Sequence, residues 1–171
     1  MSLSAVAISG SPRAPSKSKT LAELLLKALA AQGCETSMID VSMLPAAPLL
    51  AREPAPEIDE AISRVGAARI VIAATPTYRA LYTGALKCFF DLMPPANLAA
   101  KVCVPVQTAA SPAHFLAIEY GLKPLFASLE GAPIDGVYAT DDQFAGGSPN
   151  EKLLARIELV AATAVARARP G

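Results

Sequence analysis

The chain has no tryptophan, and phenylalanine and tyrosine together supply only 5% of its 171 residues. Proteins that hold single-stranded nucleic acid stack its bases on aromatic side chains, so this scarcity argues against that class. It argues equally against an aromatic platform for carbohydrate. There is no charge excess either: 15 basic residues balance 15 acidic ones. A nucleic-acid partner calls for a basic surplus that displaces counterions from phosphates, so none is expected. One histidine, His114, and three widely spaced cysteines, Cys34, Cys88 and Cys103, form no CxxC pair. They cannot assemble a four-ligand structural zinc site, and no metal is expected. An odd number of scattered cysteines reads as reduced, buried thiols, and hence as a cytoplasmic location. Apolar runs break well before the ~20 residues of a membrane span. Met1 to Gly10 lacks the basic start of a secretory signal, so no membrane or export segment is expected.

What is present is a hydrophobic fraction of 53%, enough for one sizeable core, and the length suggests a single domain over residues 1–171. Strand-length apolar runs alternate with helical patterns. Leu3 to Ile8, Glu35 to Ile39, Arg69 to Ala74, Val102 to Val106 and Ile134 to Ala139 read as strands. Thr20 to Ala31, Glu57 to Val65, Thr83 to Met93, Ala113 to Leu129 and Asn150 to Arg167 read as helices. Gly33 stands where a helix C-terminal cap is expected. Residues 40–57 form a long, proline-rich connection, a length that usually marks a functional or interface element. Alternating βα units with strands apolar on both faces predict an α/β fold. Specifically, the pattern predicts a flavodoxin-like, doubly wound, five-stranded parallel sheet of order 2-1-3-4-5 with helices on both faces. In such a sheet the ligand lies beyond the carboxyl ends of strands at the switch point. The loops at 9–19, 75–82 and 107–113 fall there.

The first of these loops runs from Ser9 to Thr20 and carries Ser11, Arg13, Ser16, Lys17 and Ser18 in front of a helix. Hydroxyls, cations and unspent helix N–H groups together suit a phosphate. A phosphate-cradling GxxxxGK[ST] loop is not present, since the second glycine is missing, and neither is GxGxxG, since Gly10 stands alone. A terminal monophosphate such as that of FMN fits better than a pyrophosphate. The plainer reading keeps the loop as a connection in which Ser18 or Thr20 caps the helix. The second loop contains Pro76, Thr77, Tyr78 and Arg79. Half of the chain's four tyrosines, Tyr78 and Tyr82, fall here, where a planar ring could pack, or where they simply close the sheet edge. Lys87 and Asp91, four apart on one helix, suit a surface ion pair.

The segments GSPR with its following serines and TPTYRALYTGALKCFFDLMP resemble the NAD(P)H-dependent FMN reductases of the flavodoxin-like superfamily. The branch most similar is the one that supplies reduced FMN to alkanesulfonate monooxygenases. The resemblance continues through Lys101–Val106 and residues 113–124 and ends near Asp142. It implies that Ser11, Arg13, Ser16, Lys17 and Ser18 hold the FMN phosphate. It implies further that Pro76, Thr77, Tyr78 and Arg79 line the isoalloxazine ring, and that the loop at Thr108, Ala109, Ala110 and Ser111 closes its other side. The family commonly has Thr-Gly-Gly where this chain has Thr108-Ala109-Ala110, so a left-handed backbone there would strain the alanines. NADPH, or NADH, is the implied hydride donor; Arg79, Lys17 and Lys19 are candidates for its phosphates. No catalytic side chain is implied, since hydride transfer to flavin needs no protein acid or base. A flavin-dependent monooxygenase is the implied recipient of reduced flavin, and a homodimer or homotetramer the implied assembly. The alternatives within the same fold are an FMN-retaining reductase of quinones, azo dyes, nitro compounds or metal oxyanions, and an electron-carrying flavodoxin. Flavodoxins are usually acidic, so the balanced charge stands against the latter.

Pro124 lies inside the helical pattern at 113–129. It cannot donate to the Tyr120 carbonyl and its ring crowds that oxygen, which predicts a kink or π-bulge around Tyr120. Related sulfonate-linked reductases carry a π-helix around a matching tyrosine at a subunit interface near the flavin. The resemblance extends that role in flavin release to Tyr120, with plain core packing as the alternative. His114, near the same helix start, is expected to be structural.

Overall fold

The structure, a computed structural model, describes residues 3–169. Met1, Ser2, Pro170 and Gly171, the ends of the span read as one domain, lie outside the described residues. The chain alternates strands and helices: β1 (Ser4–Ser9), α1 (Lys17–Ala31), β2 (Glu35–Asp40), α2 (Ala46–Leu49), α3 (Pro56–Ala67) and β3 (Ile70–Pro76) come first. Then follow α4 (Gly84–Asp91), β4 (Val102–Ala109), a π-helix (Ile118–Leu122) leading into α5 (Lys123–Ala127), β5 (Ala132–Pro133) and β6 (Val137–Thr140). A small hairpin, β7 (Phe144–Ala145) and β8 (Ser148–Pro149), precedes α6 (Glu151–Ala168). The main sheet is parallel, of order β2-β1-β3-β4-β5, with β6 also paired to β4.

Strand alternation sends side chains to two cores. Ala5, Ala7, Ile70, Ile72, Val104 and Val106 face α1 and α6, where Leu21, Leu25, Leu29, Ile157 and Val160 cover them. Val6, Ile8, Val71, Ala73 and Cys103 face the other way, against Val65 of α3, Phe89 and Phe90 of α4 and Phe126 of α5. Both sheet faces are thus covered, which is why the strands read as continuous apolar runs. Among the described residues no helix is long and apolar enough to cross a membrane, and no cluster of side chains could hold a metal. Cys34 and Cys103 are buried free thiols, and burial pushes the Cys103 thiol up to about 12. Cys88, read as buried, is only half-buried.

Local chemistry sets the element ends. Gly33, at φ +86°, closes α1: its N–H donates to Ala30 and the Cys34 N–H donates to Leu29. Those two bonds satisfy carbonyls left over at the helix end in the Schellman arrangement. Asn150 caps α6 by accepting from the Leu153 N–H at 2.9 Å. The long 40–57 connection is not bare loop; it holds a 3-10 turn at Val41–Met43 and the short α2. Lys87 and Asp91 form the foreseen ion pair at 2.6 Å.

Two sequence expectations need correction. The segment 113–129 is not one helix. It breaks into a 3-10 turn (Pro112–His114), the π-helix and α5. Pro124 withholds a donor, and the Lys123 N–H reaches back five residues to the Ile118 carbonyl. The π-bulge foreseen around Tyr120 is therefore present. The fifth strand, read as Ile134 to Ala139, is also divided: β5 and β6 pair with different ends of β4, and residues 134–136 leave the ladder. Pro105, in the middle of β4, has no N–H for that side, so it sits where pairing is interrupted. Gly136 fills the gap. A Cβ there would overlap the Pro105 carbonyl oxygen, and Arg156 donates twice to the Gly136 carbonyl, at 3.1 and 2.8 Å.

Lys19 of α1 donates to Asp40 at the end of β2 at 2.7 Å. Burial alone would raise the Asp40 pKa, but donors from Lys19 and Ser42 and the Lys19 charge outweigh it and hold the carboxyl below its ordinary value. The bond to Asp40 raises Lys19 in turn.

Two outcomes follow from these contacts. Gly136→Ala should cost about 3 kcal/mol or more, because the added methyl meets backbone that cannot yield; a urea unfolding midpoint close to the parent's would contradict this. Asp40→Asn should cost roughly 0.5–1 kcal/mol at pH 7, small because Lys19 remains 38% exposed. A depressed carboxylate stabilises above its unfolded value near pH ~4 and loses that contribution as pH falls through the folded pKa. The Asn variant's deficit should therefore shrink progressively as unfolding is measured at pH values lowered below about 4.

Candidate functional site

The carboxyl ends of β1, β3 and β4 open onto one side of the sheet, and three loops converge there on a cavity of about 270 Å3. Ser11, Arg13, Pro15, Ser16 and Lys17 line it from the first loop. Pro76, Thr77 and Tyr78 come from the second and Thr108, Ala109 and Ala110 from the third. Asp141 enters from the end of β6. Three hollows are larger: one of about 430 Å3 lies beside the Asn150 cap of α6, and two of about 640 and 690 Å3 lie along α6. Arg156 lines the last two, and its guanidinium is committed to the Gly136 carbonyl. The smaller cavity is the one that joins a helix N-terminus to clustered hydroxyls and cations, so its chemistry singles it out.

The first wall is built by capping. Ser16, not Ser18 or Thr20, caps α1: its hydroxyl accepts from the Lys19 N–H at 3.3 Å. The N–H groups of Lys17 and Ser18, in the first helical turn, have no acceptor within the helix and mark its positive end. Ser18 is fully buried and does not line the cavity; its hydroxyl bonds to that of Ser16 at 3.1 Å. Ser11 donates to the Arg13 carbonyl at 3.0 Å, which curls the loop ahead of the helix. Lys17 reaches across the mouth to Asp141, Nζ to Oδ1 2.8 Å, and lies 5.3 Å from the centre of the Phe144 ring. Lys19 is drawn away toward Asp40.

The second wall is a tight turn. Tyr78 and Leu81 exchange backbone hydrogen bonds, at 2.8 and 3.2 Å, around Arg79 and Ala80. Arg79 (φ 51°) and Ala80 (φ 68°) both occupy the left-handed region. This is the type I′ arrangement, which favours Asn and Gly and strains other residues by about 1–2 kcal/mol each. Such strain persists where surrounding structure over-determines it. Here the π-helix does so: a Cβ on Gly121 would stand 2.7 Å from the Leu81 side chain and 3.4 Å from that of Tyr82. Arg79 is exposed beyond the cavity lining, Tyr78 remains 40% exposed, and Tyr82 packs at the margin of the core.

The third wall continues β4. Thr108 and Ala109 are buried. Neither alanine belongs to the residues with positive φ, so the backbone strain anticipated for them does not arise. Tyr138 of β6 donates to the Ser111 carbonyl at 2.6 Å and holds the loop down; burial pushes its phenol up. Gln107 donates to the Thr77 hydroxyl at 3.0 Å, joining the second wall to the third. The Gln107 carbonyl oxygen and the Ser9 hydroxyl, both at carboxyl strand ends, are buried without a protein partner.

Sequence reasoning missed four contributors. Thr83 is buried; its hydroxyl donates to the Gly10 carbonyl at 2.5 Å and accepts from the Leu86 N–H at 3.2 Å, capping α4. Its own N–H donates to the Thr75 hydroxyl at 3.1 Å. A threonine directly before an apolar helix is a cap signal that could have found it. Gly10 is needed because a Cβ would lie 2.5 Å from that of Leu86. Gln107 and Asp141 carry no local signal, since only strand register brings them here. His114 is exposed in its 3-10 turn.

Comparison with known proteins identifies a family and several relatives. Residues 3–146 match the model of a family described as NADPH-dependent FMN reductase. A Pseudomonas putida FMN reductase (NADPH) is 36% identical over 157 residues, covering 90% of this chain and 80% of the relative. The NADH-dependent FMN reductase SfnF of Pseudomonas fluorescens is 35% identical over 168 residues, covering 93% and 88%. The crystal structure of an NADH:FMN oxidoreductase, EMOB, superposes with a TM-score of 0.88 at 33% identity, covering 95% of this chain and 88% of that one. The fold, the three loops at its switch point and these likenesses together place the chain in the NADPH-dependent FMN reductase family.

Proposed function

We propose that the chain transfers hydride from NADPH, or NADH, to FMN and releases the reduced flavin to a flavin-dependent monooxygenase. One observation carries the reading. A helix N-terminus, the Ser11 and Ser16 hydroxyls and the Arg13 and Lys17 side chains share one cavity with Thr77, Tyr78 and Thr108–Ala110. The donor set suits the phosphate of FMN, and the two flanking loops suit its ring edge. FMN, when bound, would supply the chemistry as the acceptor of hydride from the nicotinamide nucleotide. The chain's own residues bind and orient. Arg13 and Lys17 neutralise the phosphate, and Ser11 and Ser16 offer hydroxyls to it. Ser18 acts behind them by holding Ser16. The strained 78–81 turn presents backbone and the Tyr78 ring to the isoalloxazine, and Arg79 stands exposed beyond it for a phosphate of the nicotinamide nucleotide. No acid or base is required, and none is assigned.

The alkanesulfonate-linked resemblance supports the monooxygenase as recipient. Phe115, Leu116 and Tyr120, exposed together on the segment entering the π-helix, and Met43 and Leu50, exposed in the 40–57 connection, support a homodimer or homotetramer. Free thiols support a cytoplasmic setting, and two continuous cores spanning the sheet support one domain.

Steady-state oxidation of NADPH and NADH, with and without added FMN, tests the function. Saturable stimulation by micromolar free FMN is expected. Stoichiometric retained flavin with quinone turnover would favour the retaining reductase, and no oxidation under any condition would sink both. For the phosphate assignment, Arg13→Ala should weaken FMN about tenfold or more while leaving riboflavin nearly unchanged in fluorescence titration. Equal losses would contradict it.

A further inference from the structure

Resting on that reading, we infer that Asp141 is a specificity residue that opposes the FMN phosphate and keeps the flavin exchangeable. Three facts meet at its carboxylate. Asp141 lines the same cavity as Arg13 and Ser16. Its Oδ1 is 2.8 Å from Lys17 Nζ, one of two cations lining that cavity. Both partners keep solvent, Asp141 at 56% and Lys17 at 40% exposure, so the pair can open at small cost. A phosphate entering at the α1 N-terminus must take Lys17 from Asp141 or share it, and it then lies within a few ångströms of a second anion. Like charge at that distance weakens the bound state. Neutral parts of the flavin feel none of it. Asp141 therefore lowers the affinity gained from the phosphate, which is the part that distinguishes FMN from riboflavin. A reductase whose flavin must leave as product is served by that subtraction.

Asp141→Asn keeps the shape and removes the charge. The cap that opens the Asp141–Gln143 turn is made by Thr140 with Gln143, so the turn does not depend on the carboxylate. The measurement is the dissociation constant of FMN and of riboflavin, by fluorescence quenching, in buffers of about 20 and 500 mM salt. The expected result is FMN about two- to fivefold tighter in the variant at low salt, with the gain shrinking at high salt and riboflavin unmoved. Weaker FMN binding would overturn the inference, since Asp141 would then be preorganising Lys17. An unchanged FMN constant would overturn it as well, and so would an equal gain for riboflavin. If the parent protein itself binds FMN no tighter than riboflavin, the phosphate site fails, and this inference with it. If the parent discriminates and the variant does so identically, the inference alone fails.

Discussion

The Thr83 hydroxyl is the point on which the candidate site depends. It is buried, donates to the Gly10 carbonyl after β1 and accepts from the first turn of α4 after β3. The Thr83 N–H is held in turn by Thr75 at the end of β3. One side chain thus joins the two loops that flank the switch point of the sheet. Buried polar groups are costly when unpaired, so a knot of this kind admits one arrangement of the loops. Gly10 belongs to it, because any side chain there would strike Leu86.

The left-handed turn at Arg79 and Ala80 shows the same logic from the side of strain. Neither residue favours that backbone, yet Leu81 is pinned beneath Gly121 of the π-helix. The π-helix exists because Pro124 withholds a donor and the Lys123 N–H bonds five residues back. An irregularity with a local covalent cause thereby supports a strained turn far away in sequence. Pro105 and Gly136 act similarly at the other edge, where a missing N–H divides the fifth strand and a missing Cβ lets the chain pass.

Cationic charge at the site is partly offset rather than simply accumulated. Lys19 is committed to Asp40, and Lys17 faces Asp141. The even count of acids and bases across the chain has a local counterpart here. On the proposed reading, in which an anionic flavin enters and leaves, opposed charges would serve better than a cluster of cations, whose attraction would slow departure.

The sequence by itself determined the βα alternation, the strand order 2-1-3-4-5, the three loops and the irregularity at Tyr120. Each of these rests on local patterning: apolar runs, caps and proline's missing donor. The converging strand ends of a doubly wound sheet pointed to those loops, and the family resemblance named most of the cavity residues within them, from Ser11 to Ala110. Tertiary structure alone decided which hydroxyl caps α1, that Ser18 turns inward to Ser16, and that Arg79 stands outside the cavity lining. It alone placed Gln107 against Thr77 and Asp141 against Lys17. Those pairings join residues 30 and 124 positions apart. Their partners are chosen by register and by the course of β6, and nothing in a local stretch of sequence encodes that choice.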